Sequence, residues 1–264
     1  MKNVVVNGAC GNMGKEVVKY IFNSNKARLT GAFDRNYVGE NIFELIGIKG
    51  IEVLIKNDLE EIINEKDVDV IIDFTSPTVV MDNIKITLNN NINMIVGTTG
   101  ITDVDLKKIK RLSEINDSNI IIAPNFSIGA VLMMEFSRKV AKYMDDVEII
   151  EMHHDNKVDS PSGTSLMTAE KIAKNINKRK ESEINYIEQL DSVRGGQKDG
   201  ITIHSVRLRG LVAHQQVIFG SEGQTLTIKH DIYDRSSFMV GLGIALDNID
   251  NIEGLVYGLE HFIN

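Results

Sequence analysis

Residues 3–14, NVVVNGACGNMG, decide the fold, because a β-branched run leads directly into three glycines. The run predicts a buried strand, and Met13–Ser24 has the apolar spacing of an amphipathic helix. Gly8, Gly11 and Gly14 then occupy the strand-to-helix turn, where glycines permit a tight turn and close approach of the backbone to a pyrophosphate. The stretch predicts the start of a dinucleotide-binding domain. A glycine turn in a flavodoxin-like sheet without a nucleotide is the alternative.

Short β-branched runs and longer amphipathic stretches continue to alternate through the first half of the chain. Further strands are predicted at Arg28–Asp34, Val68–Phe74, Asn93–Gly97 and Asn119–Ala123. Helices are predicted at Val79–Asn89 and Thr102–Ile115. This alternation is typical of βαβ units, so the first half predicts an α/β domain with a Rossmann-type parallel sheet.

The pattern changes after about Asn125. Predicted elements are a helix at Ile128–Tyr143, a strand at Val147–Met152, a helix from Gly163 to about Ile176, and a short strand at Ile184–Ile187 within a charged surface stretch. Three later strands at Ile201–Arg207, Gln215–Phe219 and Thr225–His230 have no crossover helix between them, which predicts antiparallel pairing. Residues 236–264 return to helical spacing.

Two domains are expected from this order of elements. Residues 1–125 would bind a dinucleotide, with residues 236–264 packing back on them. Residues 126–235 would form an α+β domain with an open mixed sheet that binds substrate and supports oligomerisation. An open parallel sheet needs cover on both faces, which motivates the return of the last segment.

Composition excludes several classes of protein. The 264 residues are 42% hydrophobic, and 29 Lys and Arg against 37 Asp and Glu give a net charge of −8, which argues against a nucleic-acid partner. A single Cys excludes an intrachain disulfide and a Cys-rich zinc site and favours a reducing compartment. No apolar run approaches the roughly 18 residues of a membrane span, and the start lacks a signal-peptide core. A cytoplasmic protein with no membrane partner is expected.

Several polar positions suit the two ends of a dinucleotide. Asp34 ends the second strand, where an acidic residue accepts hydrogen bonds from a ribose. Arg35 follows it and could stack on adenine or pair with a 2′-phosphate, so NAD and NADP both stay open. Three strand-end loops, FTSP at 74–77, GTTG at 97–100 and APNF at 123–126, suit the nicotinamide half.

The segment EMHHDNKVDSPSGT at 151–164 carries the clearest chemistry. Three potential cations, His153, His154 and Lys157, stand within five positions of an acidic chain and indicate an anionic substrate. Residues 162–164 open a helix whose hydroxyls and backbone amides can hold a second anion, so a dianion is implied. One His can serve as general acid. Consecutive His side chains diverge, so no metal site is expected.

These motifs together resemble the dihydrodipicolinate reductase family, whose signature is approximately E-x-x-E-x-H-H-x-x-K-x-D-A-P-S-G-T-A. The resemblance extends over GACGNMG, VDVIIDFTSP, VGTTG, APNFSIG, HSVRLRGLVAHQQVIFG and HDIYDRSSFMVG, and so over nearly the whole chain. It implies a homotetramer that uses NADH or NADPH, or both, to reduce the cyclic imine dicarboxylate derived from 4-hydroxy-tetrahydrodipicolinate, in lysine and diaminopimelate biosynthesis. Another Rossmann-fold amino-acid dehydrogenase and a non-catalytic nucleotide-sensing protein are the alternatives.

The resemblance also implies residue roles. It makes His153 the proton donor and Lys157 a substrate-binding base and donor. It places substrate carboxylates on His154, Ser162, Gly163 and Thr164. It places cofactor contacts on Gly8, Ala9, Cys10, Gly11, Asn12, Met13, Gly14, Asp34, Arg35, Gly97, Thr98, Thr99, Ala123, Pro124, Asn125 and Phe126. Arg235 and Phe238 match a family arginine and aromatic, whereas Asn12 stands where the family commonly has Arg.

Overall fold

The computed structural model describes residues 1–176 and 187–263, and the chain divides into two compact units. The first unit comprises Met1–Phe126 together with Phe238–Asn264, and the second comprises Ser127–Ser237. Of the strand predicted at Ile184–Ile187, all but Ile187 lies outside the described residues. Within these described ranges, no helix has the length and apolar character needed to cross a membrane.

A seven-stranded parallel sheet forms the centre of the first unit. Its strands are β1 (Lys2–Asn7), β2 (Ala27–Phe33), β3 (Ile55–Lys56), β4 (Val70–Asp73), β5 (Asn93–Val96), β6 (Ile120–Ile122) and β12 (Leu255–Tyr257). Their spatial order is β12-β6-β5-β4-β1-β2-β3, and every neighbouring pair is parallel. The central strand β4 is buried along its whole length, as expected for a sheet covered on both faces. The predicted Rossmann-type architecture is confirmed.

Helices connect the strands of this sheet. They are α1 (Asn12–Phe22), α2 (Ile42–Leu45), α3 (Leu59–Glu65), α4 (Val80–Asn89), α5 (Asp103–Ile115) and α8 (Met239–Asn248). The helices predicted at 13–24, 79–89 and 102–115 are confirmed to within a turn. The start of α5 is fixed by a capping box, in which Thr102 accepts from the Asp105 backbone and the Asp105 carboxylate accepts in return. The short elements α2, β3 and α3 were not predicted.

The end of the chain differs from its prediction. Helical spacing was expected throughout residues 236–264, but α8 ends at Asn248 and β12 follows as an edge strand that pairs with β6. Gly254 and Gly258 flank β12, and both have positive φ. A three-residue strand between two glycines is too short to show alternation, and its partner lies far earlier in the chain, which is why the sequence did not indicate it.

In its described residues, the second unit has a mixed five-stranded sheet and two α-helices. Its elements are α6 (Ile128–Val140), β7 (Asp146–His153), α7 (Gly163–Ala173), β8 (Gly196–Lys198), β9 (Ile201–Arg207), β10 (Ala213–Ser221) and β11 (Gln224–Ile232). The order is β11-β10-β7-β9-β8. The open mixed sheet is confirmed, and so is the antiparallel hairpin of β10 and β11. Antiparallel pairing of β9 with β10 was wrong, because β7 lies between them and α7 carries the chain back so that β9 runs parallel to β7.

The helices α6 and α7 pack on one face of this sheet. Val147, Ile149 and Glu151 of β7 point to this face and are at most 3% exposed. Thr168 of α7 bonds to Gln215, which lies opposite Glu151 in the register. The alternate β7 residues Glu148, Ile150 and Met152 point to the other face and are partly exposed. No described helix of this unit covers that second face.

Candidate functional site

The glycine turn between β1 and α1 is built from backbone. Gly8 has φ +76°, and its amide and that of Ala9 both donate to the Phe33 carbonyl, at 2.8 and 3.2 Å. A Cβ on Gly14 would overlap the Gly8 carbonyl oxygen, and one on Gly8 would lie 2.5 Å from the Phe74 carbonyl oxygen. Gly11 is the N-cap of α1, and no side chain caps this helix end. The turn therefore presents a helix N-terminus to a ligand, as a pyrophosphate site requires.

A cavity of about 440 Å³ lies against this turn. It includes five of the predicted cofactor residues: Gly8, Cys10, Gly11, Asp34 and Arg35. Phe74, Thr75 and Ser76 of the first strand-end loop close it from another side. Its lining does not include the other predicted cofactor residues, which are Ala9, Asn12, Met13, Gly14 and the residues at 97–99 and 123–126. The volume falls in the usual range for small-molecule pockets, so the predicted adenosine end has a cavity of suitable size.

Asp34 joins the turn after β2 to the glycine turn. Its carboxylate accepts from the Cys10 amide at 3.0 Å through one oxygen, and from the Asn36 amide at 2.9 Å through the other. Asp34 is 8% exposed, and its Oδ1 also accepts from the Asn36 side-chain amide at 3.3 Å, so Oδ2 is the oxygen that retains an acceptor site. Asp34 can therefore accept a ribose hydroxyl while it holds the glycine turn in place.

Cys10 lines the same cavity as a protonated thiol. Burial, together with the nearby Asp34 carboxylate, raises its pKa to about 11. A thiol with such a pKa is neutral in the physiological range and is a poor nucleophile. Cys10 thus contributes shape and a backbone donor to this site.

Asp73, which the sequence did not single out, connects the strand-end loops. Its carboxylate is fully buried at the end of β4 and accepts the hydroxyls of Thr75 and Thr98, each at 2.7 Å. It also accepts the Thr75 amide and the side-chain amides of Asn7 and Asn83. The Phe74 and Phe126 rings lie 5.5 Å apart, which brings the third loop to the same edge. The loops predicted for the nicotinamide half therefore meet at one edge of the sheet.

In the second unit, His153 is paired with a carboxylate. Its Nδ1 lies 2.5 Å from Oε2 of Glu151, which is two residues earlier on the same face of β7 and is fully buried. Arg207 of β9 donates to both carboxylate oxygens of Glu151, at 2.9 and 2.8 Å. Burial would raise the pKa of Glu151, but hydrogen bonds from His153, Arg207 and Ser205 outweigh it and lower the pKa to about 2. Glu151 is therefore a carboxylate at neutral pH.

Lys157 lies in the loop that follows β7. Its Nζ donates to the Asp159 carboxylate at 2.7 Å, and its side chain is 21% exposed. The backbone carbonyl of Asp159 accepts from Arg207 at 2.7 Å. Arg207 thus contacts the supports of both predicted catalytic residues. Glu151 and Arg207 both lie in segments that resemble the family. The sequence did not predict their pairing, because that pairing depends on the register of β7 with β9.

The predicted carboxylate cradle lies at the start of α7. Ser162 is the N-cap, and its buried hydroxyl accepts from the Ser165 amide at 3.2 Å and donates to the Ser165 hydroxyl. Gly163 follows it on the surface, and a Cβ there would meet nothing within 4 Å. The peptide bond from Ser160 to Pro161 is cis. The hydroxyl of Ser162 therefore fixes the helix start, and the exposed backbone at Gly163 is the surface that an anion could reach.

Comparisons with known proteins match nearly the whole chain. The family model described as "Dihydrodipicolinate reductase, N-terminus" matches residues 2–126, and "Dihydrodipicolinate reductase, C-terminus" matches residues 129–263. Proteins named 4-hydroxy-tetrahydrodipicolinate reductase from Geobacillus thermodenitrificans and Listeria innocua are 46% and 44% identical to it. The first match covers 98% of each chain and the second 99% of each.

A solved structure agrees with these matches. It is a dipicolinate-bound dihydrodipicolinate reductase from Paenisporosarcina sp. TG-14, with 44% identity, a TM-score of 0.88 and 99% of each chain covered. The chain therefore belongs to the dihydrodipicolinate reductase family, as an NAD(P)H-dependent oxidoreductase of lysine and diaminopimelate biosynthesis.

Proposed function

We propose that His153 and Lys157 carry the chemistry by which this chain reduces the cyclic imine dicarboxylate derived from 4-hydroxy-tetrahydrodipicolinate. The observation that supports it most directly is the pairing of His153 with the buried carboxylate of Glu151, close in sequence to Lys157. Because Glu151 is ionised, it only accepts hydrogen bonds, so Nδ1 of His153 carries a proton and donates it. Nε2 is then the ring nitrogen available to hold and release a proton toward substrate.

The reaction adds a hydride and a proton to an unsaturated ring. A bound reduced nicotinamide supplies the hydride, which brings both electrons. His153 donates one proton to the developing enamine, and Lys157 neutralises a substrate carboxylate and polarises the ring. Protonation by a held imidazole avoids a free enamine anion, which is why an oriented His suits this step.

The two carboxylates of the substrate need two anion sites. Lys157 and His154 form one, and the start of α7, with the backbone of Gly163 and the side chain of Thr164, forms the other. Ser162 supports this second site by capping the helix. Lys157 would exchange its pairing with Asp159, whose carboxylate is 60% exposed, for a substrate carboxylate.

The first unit would hold the cofactor. The pyrophosphate would lie on the residues of the glycine turn at 8–14, the adenosine ribose on Asp34, and the adenine or a 2′-phosphate beside Arg35. The nicotinamide half would contact the loops at 97–99 and 123–126, which Asp73 and the Phe74–Phe126 ring pair support. These assignments follow the predicted domains, in which residues 1–125 bind the dinucleotide and residues 126–235 bind the substrate.

The open face of the second sheet would serve oligomerisation. A homotetramer formed through this face accounts for its partly exposed apolar residues, such as Ile150 and Met152, and agrees with the family resemblance. A single Cys in 264 residues agrees with a cytoplasmic location.

The thermal stability of the protein with two pyridine carboxylates, one with two carboxylates and one with a single carboxylate, tests this function. With NADH present, dipicolinate should raise the melting temperature, whereas picolinate, which lacks the second carboxylate, should raise it far less. His153→Gln should lower kcat by at least about 100-fold, since general acid catalysis contributes that much, and should leave the NADH dissociation constant unchanged. Unchanged kcat in His153→Gln, or equal stabilisation by both ligands, would contradict the proposal.

A further inference from the structure

Arg207 joins two parts of the second unit that the proposed chemistry uses. It is the last residue of β9 and lies opposite His153 in the parallel register. Its two terminal nitrogens bind Glu151 in a fork, and one of them also binds the Asp159 carbonyl at 2.7 Å. A planar guanidinium with donors in fixed directions is suited to such a triple contact, which a lysine ammonium could not reproduce.

The first of these contacts fixes His153. Glu151 is fully buried, and a buried carboxylate without a cation is costly. The bidentate pair with Arg207 neutralises that charge and prevents the carboxyl group from rotating. One carboxylate oxygen then stays in line with Nδ1 of His153, so both the tautomer and the ring plane of His153 are set.

The second contact fixes the loop that carries Lys157. The bond from Arg207 to the Asp159 carbonyl holds the backbone of the loop against the end of β9. Asp159 in turn binds the Lys157 ammonium through its carboxylate. Loss of the Arg207 contact would therefore displace Lys157 even though the two side chains are not bonded to each other.

We propose that Arg207 is a positioning residue that orients His153 through Glu151 and places Lys157 by holding the loop backbone at the Asp159 carbonyl. This inference rests on the function proposed above for His153 and Lys157. The effects on His153 and on Lys157 can be separated by mutation, because Glu151 positions only His153, whereas Arg207 positions both residues.

The test compares Arg207→Lys with Glu151→Gln. Arg207→Lys keeps the positive charge that buried Glu151 needs, but a lysine cannot bind both Glu151 and the Asp159 carbonyl as the guanidinium does. We therefore expect kcat to fall about 100-fold, as a displacement of about 1 Å in a catalytic group can produce. Its dipicolinate dissociation constant should rise about 10-fold, since Lys157 moves as well. Glu151→Gln should lower kcat by a similar factor and leave dipicolinate binding unchanged.

A spectroscopic measurement separates orientation from general damage. In protein labelled with ¹⁵N-histidine, His153 should show its proton on Nδ1 in the unaltered chain. In Glu151→Gln the amide can either accept or donate, so a mixture of tautomers should appear. A purely structural role for Glu151 would leave the tautomer of His153 unchanged.

A control and a reference variant make the outcomes decisive. Arg138→Lys alters another Arg–Glu ion pair of the same unit, with Glu135 in α6, and should keep both kcat and dipicolinate affinity. His153→Gln tests the proposed function alone. If His153→Gln is inactive while Arg207→Lys and Glu151→Gln turn over normally, the positioning role is wrong and the proposed function stands. If His153→Gln turns over normally, the proposed function itself fails.

Discussion

The glycine turn and the loop at residues 153–164, which we call the His–Lys loop, form their sites from different chemical groups. The turn at residues 8–14 relies on backbone amides and on the absence of side chains, as the crowding at Gly8 and Gly14 shows. The loop at residues 153–164 relies on charged side chains whose supports, such as Arg207, come from another strand. Substitutions should therefore weaken the glycine turn by steric crowding, and the His–Lys loop by changing the charge or orientation of its side chains.

Lys157→Met should produce the largest loss of turnover and leave the first unit unaffected. The substitution keeps most of the side-chain length but removes the charge, and one desolvated charge-assisted contact is worth about 2–4 kcal/mol, or roughly 30- to 1000-fold in rate. Steady-state kinetics should show kcat falling together with kcat/KM, and a fluorescence titration should show unchanged NADH affinity.

Lys174→Met is the matched control for this prediction. Lys174 is exposed at the C-terminal end of α7, in the same unit, and its loss should change neither quantity. If Lys157→Met loses NADH binding in parallel with turnover, the assignment of cofactor binding to the glycine turn and of substrate binding to the His–Lys loop is wrong.

The same contrast explains what the sequence could and could not predict. The glycine turn, the place of Asp34 at the end of the second strand and the alternation of strands and helices along the first half could be predicted, because each depends on residues close together in the chain. The pairing of Glu151 with Arg207 depends on strands 56 positions apart, and β12 pairs with β6 across 135 positions. Neither leaves a local pattern. Asp73 was missed for a related reason, since its donors Asn7, Asn83 and Thr98 come from a strand, a helix and a loop that are far apart in the chain.

Acid stability should reveal the charge at the second site. The pKa of Glu151 is lowered from 4.5 to about 2, so its ionisation stabilises the fold above about pH 4.5 and this contribution is lost as pH falls toward 2. The shift corresponds to a loss on the order of 3 kcal/mol over that window. Glu151→Gln cannot titrate and should lack this component of the acid unfolding curve.

The measurement is the urea unfolding midpoint of each variant at several pH values between 5 and 2. Glu114→Gln, which alters an exposed glutamate on α5, should retain the pH dependence of the unaltered chain. A Glu151→Gln curve that runs parallel to the unaltered chain throughout this range would show that Glu151 is not the stabilising carboxylate.

Gly8→Ala should weaken the first site by crowding it. The new Cβ would lie 2.5 Å from the Phe74 carbonyl oxygen, and the φ of +76° adds a cost of roughly 1–2 kcal/mol for a residue with a side chain. NADH affinity should fall at least about 10-fold, while dipicolinate binding changes little. Gly47→Ala carries the same φ cost at +80° with nothing within 4 Å, so it should lower stability and leave NADH affinity intact.

The choice between NADH and NADPH should show the smallest effect, because it depends on an exposed charge. Asp34 places a carboxylate at the ribose position and disfavours a 2′-phosphate, while exposed Arg35 beside it offsets that charge. We expect both cofactors to be accepted, with NADH at least as good as NADPH. Exposed ion pairs are worth up to about 1 kcal/mol, so Arg35→Ala should lower kcat/KM for NADPH by about 5-fold or less and leave NADH unchanged. Arg111→Ala, at an exposed position on α5, should alter neither value. Initial rates at matched cofactor concentrations decide the matter, and an absolute requirement for NADPH would show that Asp34 does not face the ribose.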